Sequence, residues 1–237
     1  MSNPEPANSR VPPRPIRTWG FWETAFFGAI AYGVFMLTAG LALAVLVPEA
    51  LATQGRWQGI AAIIGTPPAI AVLWIAIREA RREFAEYLAL NWPSQDEFGR
   101  ALLITIILLA VWTLIAPRPD ADAAVLNPYL SVAGAGGLMM LLVGGCIAGP
   151  MMEEFIFRGF LFRGWSETFL GPIGAILLIS IIWALSHTQY DWFVRSWIFV
   201  TGLALGYIRW RSASTWLTVI IHSATNILSF FTMGKYT

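Results

Sequence analysis

Seven long apolar stretches, separated by short polar segments, constrain this 237-residue chain more than any other feature. They cover residues 22–47, 60–77, 101–116, 138–162, 173–186, 192–208 and 217–231. A helix needs about 20 mainly apolar residues to cross a bilayer. Charged residues make up only 12% of the chain, against about a quarter in soluble domains. The sequence therefore predicts an all-α, polytopic membrane protein with about seven transmembrane helices.

The length of the chain allows one membrane domain and leaves no room for a sizeable soluble one. Residues 1–20 are rich in proline and arginine, which predicts a disordered cytoplasmic tail. Residues 21–130 are expected to form the N-terminal transmembrane helices, with an amphipathic interfacial helix near 79–90. Residues 131–237 are expected to form the helices that carry the candidate site.

The distribution of positive charge predicts the orientation in the membrane. Of the 15 Lys and Arg residues, 11 fall on one side when alternate loops are counted and 4 fall on the other. By the positive-inside rule the N-terminus is cytoplasmic, and the expected location is the cell (inner) membrane. A net charge of +1 gives no electrostatic reason to bind nucleic acid. The expected partners are membrane lipid and a peptide or membrane-protein substrate, and the sequence does not specify an oligomeric state.

A few polar side chains lie within or at the ends of the apolar stretches. They are the two histidines of the chain, His187 and His222, and the adjacent acids Glu153 and Glu154. A charged side chain at the centre of a membrane helix costs about 2.5–3.5 kcal/mol on insertion scales, so such residues usually serve a function. The sequence therefore predicts a functional site between helices four, five and seven.

The two adjacent glutamates are expected to play different roles, because consecutive residues on a helix point about 100° apart. Glu154 precedes Arg158 by four residues, the favourable spacing and order for an ion pair on one helix face. The side chain of Glu153 is then not used by this ion pair and can face a different part of the protein. A glutamate in an apolar pocket is suited to act as a general base or acid near neutral pH.

The histidines are expected to approach the acids from two other helices. His222 and Asn226 are four residues apart and lie on one face of the last helix. Glu153 and His222 both come about 14 Å from the predicted cytoplasmic face, but His187 falls nearer the other side. Two arrangements would bring His187 to their depth: its helix starts deeper in the membrane, or that helix extends beyond the membrane.

Other interpretations of these residues remain open. The acids and Arg158 could be a solvated cluster at a helix end, and Asn226 could make a hydrogen bond between helices. The same groups could form the proton relay of a transporter, or remain in a non-catalytic membrane scaffold. The chain contains neither the H-E-x-x-H motif of zinc metalloproteases nor the G-x-S-x-G motif of serine hydrolases.

Three motifs in order resemble those of a known family. Glu153-Glu154-Phe-Ile-Phe-Arg158 resembles the E-E-x-x-x-R motif of the CAAX protease and bacteriocin-processing family of intramembrane endopeptidases, which includes the type II CAAX prenyl endopeptidases. His187 matches the F-x-x-x-H motif, with Trp183 in place of phenylalanine. His222 and Asn226 match the H-x-x-x-N motif. The resemblance extends from about Gly134 to the end of the chain.

This resemblance implies an enzyme that hydrolyses a peptide bond with activated water. By similarity, Glu153 and His187 would polarise the water, and His222 and Asn226 would donate hydrogen bonds to the oxyanion. Glu154 and Arg158 would support the site. Two versions stay open: glutamate and histidine activate water unaided, or Glu153, His187 and His222 hold a zinc ion as in a metalloprotease.

Overall fold

The structure, a computed structural model, describes residues 18–48, 55–116 and 134–233. All of the regular secondary structure in these ranges is helical. Residues 1–17, the greater part of the predicted tail, lie outside the described residues, as do two predicted loops. The all-α class predicted from the sequence is confirmed for the described part of the chain.

A helix occupies each of the seven predicted positions. The first four helices are α1 (Phe21–Leu46), α2 (Gly55–Glu79), α3 (Phe84–Tyr87) and α4 (Gln95–Ile115). A composite helix follows, in which α5 (Gly134–Val143), α6 (Gly149–Glu154) and α7 (Phe162–Ser166) are joined by π-helical turns at Gly144–Ala148 and Phe155–Leu161. The last three helices are α8 (Gly171–Ser186), α9 (Trp192–Ser212) and α10 (Thr215–Met233).

Four of these segments are long and apolar enough to cross a membrane: Phe21–Leu46, Trp57–Glu79, Gln95–Ile115 and Gly137–Ser166. The apolar helix Gly171–Ser186 is shorter. In the first and third of the four, only 6% of the most apolar window is buried inside the protein. An apolar surface of this kind would be unfavourable in water and is favourable against lipid. The protein is thus a helical membrane protein, while the number of seven crossings stays a prediction.

The segment 79–90 differs from the single interfacial helix predicted for it. After the end of α2 at Glu79, helix is present only over Phe84–Tyr87, between turns in which Arg81 and Ala89 have left-handed backbone angles, with φ of 60° and 50°. Such angles interrupt an α-helix of L-residues. Tyr87 and Leu88 are fully buried in the protein core, so their burial inside the fold explains the apolar pattern of this segment.

The composite helix lies at the centre of the fold. Every residue of its second π-helical turn, Phe155–Leu161, is buried, and the helix contacts α1, α2, α8 and α10. Leu161 lies against Gly28 of α1, and Gly159 lies against Leu88. The helix that carries the two adjacent glutamates is therefore the best-packed element of the described structure.

Glycines permit two close helix contacts. A Cβ at Gly202 or Gly206 of α9 would lie about 3 Å from Ser180 or Ile176 of α8, which agrees with the close approach that their G-x-x-x-G spacing indicates. The corresponding spacing of Gly145 and Gly149 does not mark a contact between helices. Gly144 makes that contact instead, because the π-helical turn changes which residues face α2.

The contact between Gly144 and Gly59 of α2 yields a stability prediction. A Cβ at Gly144 would overlap the backbone of Gly59, whereas a Cβ at Gly145 would meet only Leu141 Cδ1, at 3.8 Å. We expect Gly144→Ala to lower the free energy of unfolding by about 1–3 kcal/mol, since a backbone cannot move aside as a side chain can. Gly145→Ala should leave it nearly unchanged. Thermal unfolding in detergent measures both, and equal stability of the two variants would contradict this packing.

Candidate active site

The antiparallel pairing of the composite helix and α8 brings Glu153 next to Trp183. Glu153 precedes the end of α7 at Ser166 by 13 residues, and Trp183 follows the start of α8 at Gly171 by 12. Because the rise per residue is nearly equal, the two side chains lie at nearly the same height. His187 directly follows α8, one turn further along. The helix before the turn continues to Ser166, three residues beyond the end at residue 163 on which the predicted depths were based.

Glu154, Arg158 and His222 form a buried polar unit. Arg158 Nη1 donates to Glu154 Oε1 at 2.9 Å, which is the ion pair predicted from their spacing. His222 Nδ1, on α10, donates to the same oxygen at 2.9 Å. The Glu154 and Arg158 side chains are 0% and 1% exposed. The solvated-cluster interpretation is therefore wrong for this pair.

The guanidinium of Arg158 also connects the unit to α8 and α9. Its Nη2 donates to the backbone oxygen of Gly202 at 3.4 Å. Its Cζ lies 4.3 Å from the centre of the Trp183 ring, a distance at which a cation is attracted to the face of an indole. The guanidinium thus contacts two helices besides its own.

Glu153 belongs to a second polar group, with Trp183 and His187. Glu153 Oε2 accepts a hydrogen bond of 2.6 Å from the indole Nε1 of Trp183. His187 Nδ1 lies 2.7 Å from the backbone oxygen of Trp183, and since a carbonyl only accepts, Nδ1 carries the proton. The neutral ring of His187 then has an unprotonated Nε2. Glu153 therefore contacts Trp183, whereas Glu154 contacts Arg158 and His222. The side chains of the two adjacent glutamates point in different directions, as predicted from their positions on the helix.

Trp183 was not among the functional residues predicted from the sequence, where it appears only in place of phenylalanine in the F-x-x-x-H motif. It bonds Glu153, holds His187 and packs its ring edge-on near His222, with ring centres 5.4 Å apart. The carbonyl of Trp183 also accepts from Ser186 Oγ at 2.8 Å, and Ser186 is hydrogen-bonded to Tyr32 of α1. The only sequence signal was its position, four residues before His187.

Asn226 lies on the same face of α10 as His222, one turn away. Its Nδ2 donates to the backbone oxygen of Gly145 at 3.1 Å. This is the bond between helices that one of the open interpretations expected. An amide nitrogen has two hydrogens, so one donor remains for a ligand.

These groups border a single cavity of about 380 Å³. Glu153, Trp183, His187, His222 and Asn226 all contribute to its wall. Helices α4 and α9 supply most of the opposite wall, which is largely apolar and includes Ile104, Leu108, Leu109, Trp112, Trp197 and Ile198. Polar groups from three helices thus lie on one side of the cavity, and the other side is apolar. Asp191, by contrast, caps the start of α9, where its side chain accepts from Val194 N.

Comparison with known proteins agrees with this arrangement. Residues 135–228 match the family model described as type II CAAX prenyl endopeptidase Rce1-like. The match covers 94 of the 237 residues and makes this part of the chain similar to the CAAX protease family. The matched segment runs from α5 into α10 and so includes every helix that contributes one of the six candidate residues. Neither the search of curated proteins nor the search of solved structures returned a match.

The zinc set considered from the sequence does not form a compact donor cluster. In the described part of the chain, no three His, Cys, Asp or Glu side chains are grouped closely enough to hold a metal ion. The described residues, as the structure arranges them, do not fit a zinc site.

The buried position of Glu154 predicts a large effect on stability. Glu154→Gln would leave the Arg158 cation buried without a counter-charge, which typically costs about 3–5 kcal/mol. Glu86→Gln is the control, because Glu86 pairs with Arg82 at the surface, where such pairs contribute about 0–1 kcal/mol. Chemical unfolding in detergent measures the two losses. Similar losses for both variants would show that the buried pair has no special role.

Proposed function

We propose that this protein is an intramembrane endopeptidase in which Glu153 activates the attacking water. The observation that carries the proposal is the common cavity: a carboxylate, two imidazoles and an amide face one chamber with apolar walls. Amide hydrolysis needs a base for the water and donors for the oxyanion, and this set supplies both. The similarity of residues 135–228 to a type II CAAX prenyl endopeptidase family model supports the same chemistry.

In the proposed mechanism, water binds between Glu153 and His187. One water proton passes to the carboxylate of Glu153, while the second is held by Nε2 of His187, which is free to accept. The hydroxide oxygen bonds to the peptide carbonyl carbon. Glu153 then delivers its proton to the leaving nitrogen as the carbon–nitrogen bond breaks. General acid–base steps of this kind contribute about 10²–10⁴ in rate.

His222 and Asn226 would stabilise the negative oxygen that forms on the attacked carbonyl. With Nδ1 of His222 held by Glu154, its Nε2 edge remains for the cavity, and in the protonated ring this nitrogen donates. The second hydrogen of the Asn226 amide is the other donor. Loss of one such donor costs about 10²–10³ in rate. Glu154 and Arg158 act through His222 by fixing the orientation of its ring.

Trp183 would act as a positioning residue for the base. Its indole N–H holds one carboxylate oxygen of Glu153 and leaves the other for water. Its carbonyl holds His187 in the tautomer that this mechanism needs. The proposed substrate is a peptide or membrane protein. We also propose that the protein lies in the cell membrane with its N-terminus in the cytoplasm.

The function is tested with purified protein reconstituted in liposomes and a peptide library, with products identified by mass spectrometry. We expect Glu153→Gln to lower cleavage by about 10²–10⁴-fold, because the amide cannot take a proton from water. The control is Glu167→Gln, which changes a surface carboxylate paired with Arg163 and should keep full activity. Unchanged cleavage by Glu153→Gln would reject the mechanism.

The same assay decides between the two versions of water activation. The proposal predicts that protein stripped of metal by a chelator keeps its activity. Loss of activity that is restored by added zinc would show instead that a metal is required. The absence of any cleaved peptide with the unaltered protein would contradict the endopeptidase assignment and favour a scaffold or transporter.

A further inference from the structure

A second cleft lies between the start of α4 and the end of α9. It has a volume of about 100 Å³ and is lined by Arg100 and Arg211, with Tyr207 beside them. Its floor is apolar and includes Ile104, Ile208 and Leu217. The cleft is separate from the six candidate residues and from the chemistry proposed for them.

The two arginines of the cleft are available to bind an anion. Arg100 uses its Nε to donate to the backbone oxygen of Asp96 at 3.2 Å. Within the described ranges, neither Arg100 nor Arg211 has a carboxylate at salt-bridge distance. Two guanidiniums that lack a carboxylate partner and share one cleft attract negative charge.

The acid of the same cleft, Glu97, is close enough to Arg100 for electrostatic attraction but forms no ion pair with either arginine. Glu97 is part of a capping box, in which its Oε2 accepts from Ser94 N at 2.7 Å and from Ser94 Oγ at 2.9 Å. Its carboxylate is therefore oriented toward the start of α4. The rest of the lining combines two cationic side chains with aliphatic side chains. An anionic lipid has the complementary chemistry, because its headgroup is negatively charged and its acyl chains are apolar.

The position of the cleft also favours a lipid. The side chains of α4 are largely exposed along its apolar length, and the helix packs mainly against α9 and α10. Arg100 and Arg211 lie at the ends of their helices, where arginines meet the headgroup layer. Basic pockets between transmembrane helices are known to receive anionic headgroups.

We propose that the cleft between α4 and α9 binds the phosphate of an anionic lipid headgroup through Arg100 and Arg211. The acyl chains then lie along the apolar surface of α4. Ile104 and Ile208 line both this cleft and the larger cavity, so the bound headgroup adjoins the chamber that contains Glu153. The lipid bridges α4 and α9 and fixes the spacing between these two walls of the chamber.

Thermal unfolding in a neutral detergent tests the site without any need for cleavage. Protein is titrated with short-chain phosphatidylglycerol and, separately, with phosphatidylcholine of the same chain length. A ligand that binds the folded state raises the melting temperature with its concentration. We expect a specific rise with phosphatidylglycerol. Because the measurement reads binding, the Glu153→Gln variant should show the same rise, and failure of the proposed catalysis would leave this result unaffected.

Matched variants locate the site. R100Q/R211Q should weaken phosphatidylglycerol binding about 30-fold, at about 1 kcal/mol for each arginine near a membrane surface. R78Q/R81Q removes the same charge from two other exposed positions, in the last turn of α2 and directly after it, and should bind as the unaltered protein does. R100K/R211K keeps the charge and should retain most of the affinity, which guards against a loss caused by misfolding.

Several outcomes would overturn the proposal. An equal rise with phosphatidylcholine would show that the headgroup charge is not recognised. An equal rise with inorganic phosphate alone would assign the cleft to a free anion rather than a lipid. Equal weakening by R78Q/R81Q would show that general surface charge, and not this cleft, attracts the lipid.

Discussion

The ion pair between Glu154 and Arg158 is the interaction on which the rest of the structure depends. Two charges removed from water must be paired and hydrogen-bonded, because an unpaired buried charge is strongly unfavourable. Here the carboxylate of Glu154 accepts from α10 through His222, while Arg158 reaches Gly202 of α9 and the ring of Trp183 on α8. The contacts of this one ion pair therefore hold four helices in register: the composite helix, α8, α9 and α10.

In the proposed mechanism, that register separates the groups that support the site from the groups that react. Glu154 is buried and is bonded to Arg158 and His222 through Oε1, whereas its neighbour Glu153 is only partly buried and borders the cavity. Trp183 lies between the two groups, in contact with Arg158 by its ring and with Glu153 by its N–H. A fixed carboxylate beside an apolar chamber is the preorganised arrangement that electrostatic catalysis requires.

Local spacing in the sequence was enough to predict the helices and the Glu154–Arg158 pair, because helical periodicity acts over a few residues. The π-helical turns, the contact of Gly144 with Gly59 and the short helix Phe84–Tyr87 were not predictable in the same way. They depend on packing between segments far apart in the chain. The bridging role of Trp183 was missed for the same reason, since its partner Glu153 is 30 residues away.

The central claim is that Glu153, His187 and His222 act as one unit around a single cavity. Double-mutant kinetics test it most directly, with kcat/KM measured for Glu153→Gln, for each histidine changed to glutamine, and for the pairs. Residues that act as a unit show strongly non-additive losses. The account predicts that each double variant is hardly slower than its slower single variant. Losses that multiply in the double variants would show independent roles and contradict the account.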